Sequence, residues 1–206
     1  MINYNGSFEA KKDVSINNLP AGVYVGKVLG AKVETQTIAG RDIDRLVLQL
    51  DVAEGEYTDH YKKLYEASKG GMYPAKFKGV LRLNIPVQGD QYEAMNKRIL
   101  EGAAWCFQES NKGYRWDGDE TRLKGLAVGF AVREADYLIE DANGLRKVTS
   151  TEICRLDSVP EVKAGKCKVP KRRELKDAQK QKLAEYESSV RRDFTEVETS
   201  EDDLPF

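Results

Sequence analysis

Histidine is almost missing from this sequence. His60 is the only one in 206 residues, which rules out a His-rich metal site and allows a His-centred catalytic triad only through that one side chain. Cysteine is scarce and odd in number. Cys106, Cys154 and Cys167 are spaced for neither a disulfide framework nor, with one histidine, a zinc set, so reduced thiols and no metal are expected. No apolar run approaches the roughly 20 residues that span a bilayer, and residues 1–12 lack the basic-then-apolar order of a secretory signal. A soluble, cytoplasmic chain is the expectation. There is no Gly-rich loop ending in Gly-Lys-Ser/Thr, which argues against phosphate-loop nucleotide hydrolysis. Asp117-Gly118-Asp119-Glu120 lacks the alternating ligands of a twelve-residue calcium loop and reads as a surface turn. No cofactor and no catalytic residue is called for.

What the chain does have is segregated charge. Residues 193–206 carry six acids and no Lys or Arg, while residues 163–192 carry eleven Lys and Arg against four acids. The remainder is close to neutral. A body leading into a basic segment and then an acidic end is the pattern of an interaction tail. The length suits one well-buried domain with appendages.

Hydrophobic period locates the elements. Residues 22–34 alternate as a half-buried strand, with Val23, Val25, Leu29 and Val33 on one face and Tyr24, Gly26 and Lys32 on the other. Residues 44–52 alternate more cleanly, with Leu46, Leu48, Leu50 and Val52 inward and Arg45, Val47 and Gln49 outward. Residues 77–85 set Leu81, Leu83 and Ile85 against Lys78, Val80, Arg82 and Asn84. Between these last two, residues 54–76 carry Tyr57, Tyr61 and Tyr65 every fourth position, a short helix with a tyrosine stripe around a lone, exposed His60. Residues 90–111 are helical in period, with Tyr92, Met95, Ile99, Ala103 and Cys106 on one face, widened by Leu100 and Phe107, and should plug a core. Strands return at residues 126–133 and 147–156 around an Asn143-Gly144 turn.

Three strands, a helix and two strands predict a mainly β fold, the OB-fold. This is a five-stranded Greek-key barrel, here with a helical insertion between strands two and three and a long helix between three and four. A small α+β sandwich would give a similar string. The expected division is an OB-fold domain over residues 1–160, a basic helical linker over 161–192, and an acidic tail over 193–206 that is disordered when free.

The chain ends Glu201-Asp202-Asp203-Leu204-Pro205-Phe206. Acids before an apolar terminus make a compact ligand, since Phe206 can fill a pocket while the carboxylates meet cations at its rim. Pro205 restricts the backbone and lowers the entropy lost on docking. In these residues the sequence resembles the bacterial and phage single-stranded DNA-binding proteins, with Leu204 where many members have Ile. The insertion and the long helix look more like a phage or mobile-element variant. The resemblance implies coating of single-stranded DNA in replication, recombination or repair. It also implies recruitment through the tail of a helicase, primase, polymerase, exonuclease or annealing protein, and it allows a homo-oligomer.

Strand binding needs cations along the phosphates and aromatic faces for bases to stack on. Expected cations are Arg45, Lys78 and Arg82 on the outward face of strands two and three, with Lys62 and Lys76 close by. Arg41 in the first hairpin loop and Arg146 and Lys147 in the last would close over the strand. Expected stacking residues are Tyr61, Tyr65, Tyr73, Phe77, Trp116 and Tyr137. The basic stretch 163–173 either adds phosphate contacts or rests against the acidic tail. Two rival readings follow from the same residues: a protein-binding adaptor on the same fold, and a metal-dependent nuclease using Asp157, Glu161 and Lys163.

Overall fold

A computed structural model of the chain describes residues 18–38, 40–69, 71, 76–141 and 144–197, the side chains of residue 38 and of residues 191–197 excepted. In order the elements are β1 (Gly22–Ile38), β2 (Arg41–Val52), α1 (His60–Ser68), β3 (Val80–Asn84), α2 (Glu93–Ser110), β4 (Ala127–Asp141), β5 (Gly144–Asp157), α3 (Val159–Lys163) and α4 (Asp177–Val197), with a 3-10 turn at Glu120–Leu123 before β4. The five strands form one antiparallel sheet in the order β3-β2-β1-β4-β5. Along the chain, the succession of two strands, a short helix, a strand, a long helix and two strands is the one the sequence predicts.

The core is built where the alternation is cleanest. Leu46, Leu48, Leu50 and Val52 of β2 are buried against Leu81 and Leu83 of β3 and Val128, Phe130 and Val132 of β4. Phe107, Ala103 and Cys106 of α2 join the same cluster, so this helix fills the concave side of the sheet. Deep burial of so many branched side chains, each contributing roughly 1.5 to 3 kcal/mol, is the main stabilising term. Burial pushes the Cys106 thiol up to about 12, so it stays protonated.

β1 departs from simple alternation. A bulge between Val28 and Gly30 adds a residue and reverses the phase. Before it, Tyr24, Gly26 and Val28 lie on the core side, opposite Val52 and Leu50; after it, Ala31 and Val33 do, opposite Leu48 and Leu46. The expected single face of Val23, Val25, Leu29 and Val33 is therefore split. Gly26 is required because a Cβ there would sit 2.3 Å from the Phe130 ring.

The insertion also differs from expectation. Among the described residues of the insertion only 60–68 are α-helical, and of the tyrosine stripe it is Tyr61 that faces the core. Tyr61 is buried in the core cluster, with Tyr57 packed against it. His60 is half-buried between the Tyr57 and Tyr61 rings, with Nε2 fully enclosed and unpaired; burial holds its pKa down. The first turn of α1 is capped from the sheet. Asp51, completely buried, accepts from the backbone N–H groups of Val52 and Tyr61 through Oδ1 and of Lys62 through Oδ2, all at 2.9 Å.

β4 and β5 run well beyond the expected residues 126–133 and 147–156 as a long hairpin ladder to Asp141↔Gly144. Past β1, the free edge of β4 is taken by Arg173, whose N–H donates to Glu134 O and whose carbonyl accepts from Asp136 N–H. Leu175 is buried. α4 then lies on the hairpin, where Gly144, at φ 93°, leaves room for the Tyr186 hydroxyl. The helix continues to Val197, overlapping the segment expected to be disordered from residue 193. No Gly or Pro interrupts residues 177–197, so once nucleated the helix extends at little cost per residue.

Candidate nucleic-acid interface

The sheet coils until its two edge strands, β3 and β5, face each other across a cleft of about 560 Å³. No backbone ladder joins them among the described residues. Phe77, Lys78 and Arg82 stand on the β3 bank, and Arg133, Tyr137 and Glu152 on the β4–β5 bank. Pairing of Val47 with Arg82 and of Leu46 with Leu83 explains the β3 side: with Leu81 and Leu83 buried, Arg82 must face out, and Lys78, two residues before the strand, is exposed beside it.

Glu152 organises the other bank. It accepts from Arg133 Nε at 2.8 Å, Arg173 Nε at 3.0 Å and the Tyr137 hydroxyl at 2.6 Å. Arg173 also lies 4.9 Å over the Tyr137 ring, holding that ring in place. Burial alone would raise the Glu152 carboxyl, but the hydrogen bonds from Arg173, Tyr137 and Arg133 outweigh it and bring the pKa down to about 2. Two guanidinium groups on one carboxylate leave a net positive charge at the bank.

A stability prediction follows from this depressed pKa. Glu152→Gln is expected to cost about 1 to 2 kcal/mol near neutral pH, after discounting for solvent screening. The native carboxylate contributes fully above the ordinary value of 4.5 and loses that contribution as pH falls toward about 2. Thermal melts of the two proteins should therefore converge in acid; a constant offset would contradict the assignment.

The outer face of β1, β2 and β3 continues from the cleft. Arg45 donates to Asn84 Oδ1 at 3.1 Å and is hydrogen-bonded to Gln36, both neutral, and it makes no ion pair among the described residues. Arg82 and Lys32 share one acid, Glu34, at 3.3 and 3.1 Å, which again leaves one positive charge over. Lys62, Lys76 and Lys78 are exposed and have no ion-pair partner among the described residues. Arg41 starts β2 at the end of the first hairpin. Arg146 and Lys147 are exposed near the end of the last, with Arg146 paired to Asp141 at 2.8 Å.

The expected stacking residues separate into classes. Tyr61 is withdrawn into the core and offers no face, because its ring lies against Gly79. Tyr65 and Phe77 are half-buried and meet edge to face at 6.1 Å; Lys69 lies over the Tyr65 ring. Tyr137 is half-buried in the cleft wall. Trp116 stands elsewhere, packed beside Val33, Leu46 and Leu100 with Nε1 donating to Asp119 O at 3.1 Å. Tyr73 and the tail residues Glu201 to Phe206 lie outside the described residues.

Sequence reading did not pick out Arg133 or Lys32, and it placed Arg173 only within the basic stretch 163–173. Alternation through residues 126–133 could have placed Arg133 on the outward face; nothing local signals that Arg173 returns to β4. The basic stretch is less free than its composition suggests, since Arg172 is bound to Asp136, and Lys163 to Glu54 at 2.8 Å. Of the other two nuclease candidates, Glu161 accepts from Ser158 Oγ and Asp157 from Arg155. Among the described residues no three His, Cys, Asp or Glu are grouped to hold a metal ion, and no helix is long and apolar enough to cross a membrane. No protein-family model matches the sequence, and no curated protein matches it either.

Proposed function

We propose that this protein binds single-stranded DNA without base preference and performs no covalent chemistry, with the coiled sheet serving as an OB-type Greek-key barrel. The observation that carries the reading is the convergence of Phe77, Lys78, Arg82 and Tyr137 on one cleft, bordered by cations that outnumber their acidic partners. A strand order of β3-β2-β1-β4-β5 is what a partly open five-stranded barrel presents when its seam falls between β3 and β5. In this reading phosphates run along Lys78, Arg82 and Arg45, and bases stack toward Phe77, Tyr65 and Tyr137 at about 1 to 3 kcal/mol each. Arg41, Arg146 and Lys147 flank the path from the two hairpin ends. The acidic terminus Glu201 to Phe206 serves as the docking peptide for replication or recombination enzymes.

Titration with oligo-dT over a salt series tests the reading. Affinity should fall steeply and log-linearly with salt, with a slope of about 0.7 per phosphate contact, and duplex of equal length should bind far more weakly. Absence of binding to unpaired oligonucleotide in dilute buffer would overturn it and favour a protein-binding adaptor.

A further inference from the structure

Helix α2 buries only one side. Ala103, Cys106 and Phe107 enter the core, whereas Met95, Ile99 and Trp105 stay 53%, 45% and 45% exposed. Together with Leu83 and Leu156 from the neighbouring strands they line an apolar groove of about 600 Å³. A stripe of this kind on one helix exceeds the scattered apolar residues of an ordinary surface.

Its layout is symmetrical. With 3.6 residues per turn, Met95 and Glu109 lie two turns either side of Gly102, almost in line with it. Arg98 and Cys106 lie about one turn either side, and Ile99 and Trp105 three residues either side on opposite flanks. Gly102 itself is exposed, and a Cβ there would meet nothing within 4 Å, so a second backbone can approach at that point.

We infer that two copies of this chain associate through α2, running antiparallel about a twofold axis at Gly102. Reversal of the helix sets Ile99 of one copy level with Trp105 of the other, on opposite sides of the contact line, so the two interlock. It also brings Arg98 of one copy beside Trp105 and Glu109 of the other, giving a cation over an aromatic ring and an ion pair, each made twice by symmetry. Arg98 and Glu109 are exposed and have no ion-pair partner among the described residues, so both are available. Charge complementarity with itself selects a second copy over an unrelated partner. One helix pair is at the small end of stable interfaces, so the dimer is concentration-dependent. The inference is independent of DNA binding.

Sedimentation equilibrium on the full chain is the test. Mass should rise with concentration toward twice the 23.2 kDa of the chain, and Ile99→Glu should hold it at the monomer value. Arg98→Glu and Glu109→Arg should each weaken association by about 10-fold, because two pairs per dimer turn repulsive, and the double exchange should restore it. Should a variant fold poorly, Gly102→Cys under mild copper–phenanthroline oxidation should give a reducible dimer that the wild type, with its own three cysteines, does not. A wild type that stays monomeric would overturn the inference, as would a dimer indifferent to Ile99→Glu or a double exchange no better than its parts. So would a monomer that dimerises only when residues 198–206 are removed, which would put the chain's own end on this face.

Discussion

Oligo-dT affinity at low salt is expected to fall on the order of 100-fold when Lys78 and Arg82 are both reversed to Glu, with a shallower salt dependence. The two residues are exposed and line the same cleft, Arg82 from β3 and Lys78 from just before it, so reversal replaces two attractive phosphate contacts by two repulsive ones. Net charge alone would also reduce binding, and the companion variant Lys112→Glu with Lys124→Glu makes the same change away from the cleft. Both of those lysines are exposed. The cleft variant should lose far more than the companion, measured by fluorescence anisotropy across a salt series. Equal losses would mean that DNA is attracted by overall charge and not by this surface.

Asp51→Ala is expected to destabilise the fold by about 3 kcal/mol in urea unfolding. The carboxylate is fully buried and receives three backbone N–H groups. Truncation leaves those donors without acceptors, and charged hydrogen bonds of this kind are worth about 1.5 to 3 kcal/mol each before relaxation. Loosening the first turn of α1 also frees Tyr61 from Gly79, so the loss should extend to core packing. Asp51→Asn, which keeps one acceptor oxygen, should fall between the two proteins. A cost under about 1 kcal/mol for Asp51→Ala would show that the carboxylate does not hold the helix start.

How much could be read in advance depended on whether each signal was local. The alternation of Leu46, Leu48, Leu50 and Val52 gave both the existence of β2 and its buried face, because a strand with one face in the core must repeat every second residue. The same rule failed on β1, where the bulge at Val28 reverses the faces. In α1 the spacing of Tyr57, Tyr61 and Tyr65 was legible but its direction was not: a stripe can face core or solvent, and burial of Tyr61 under the sheet settled it. In α2 the apolar period identified the helix, yet only Ala103, Cys106 and Phe107 sank into the core, leaving the exposed stripe of Met95, Ile99 and Trp105.

The candidate site shows the same division. Lys78, Arg82 and Phe77 could be picked out on one strand and Tyr137 on another, but their meeting depends on the sheet coiling until β3 faces β5. Glu152 draws Arg133, Tyr137 and Arg173 together, and the last reaches it only because residues past α3 turn back along the free edge of β4.

By itself, then, the order of residues determined the strand sequence, the core leucines of β2 and β3, the helix between β3 and β4 and the segregation of charge, since each is written in contacts between near neighbours. Tertiary structure alone decided which faces are buried, which cations stay uncompensated and which aromatics remain accessible. Those outcomes turn on partners far apart in the chain, and no local period encodes them.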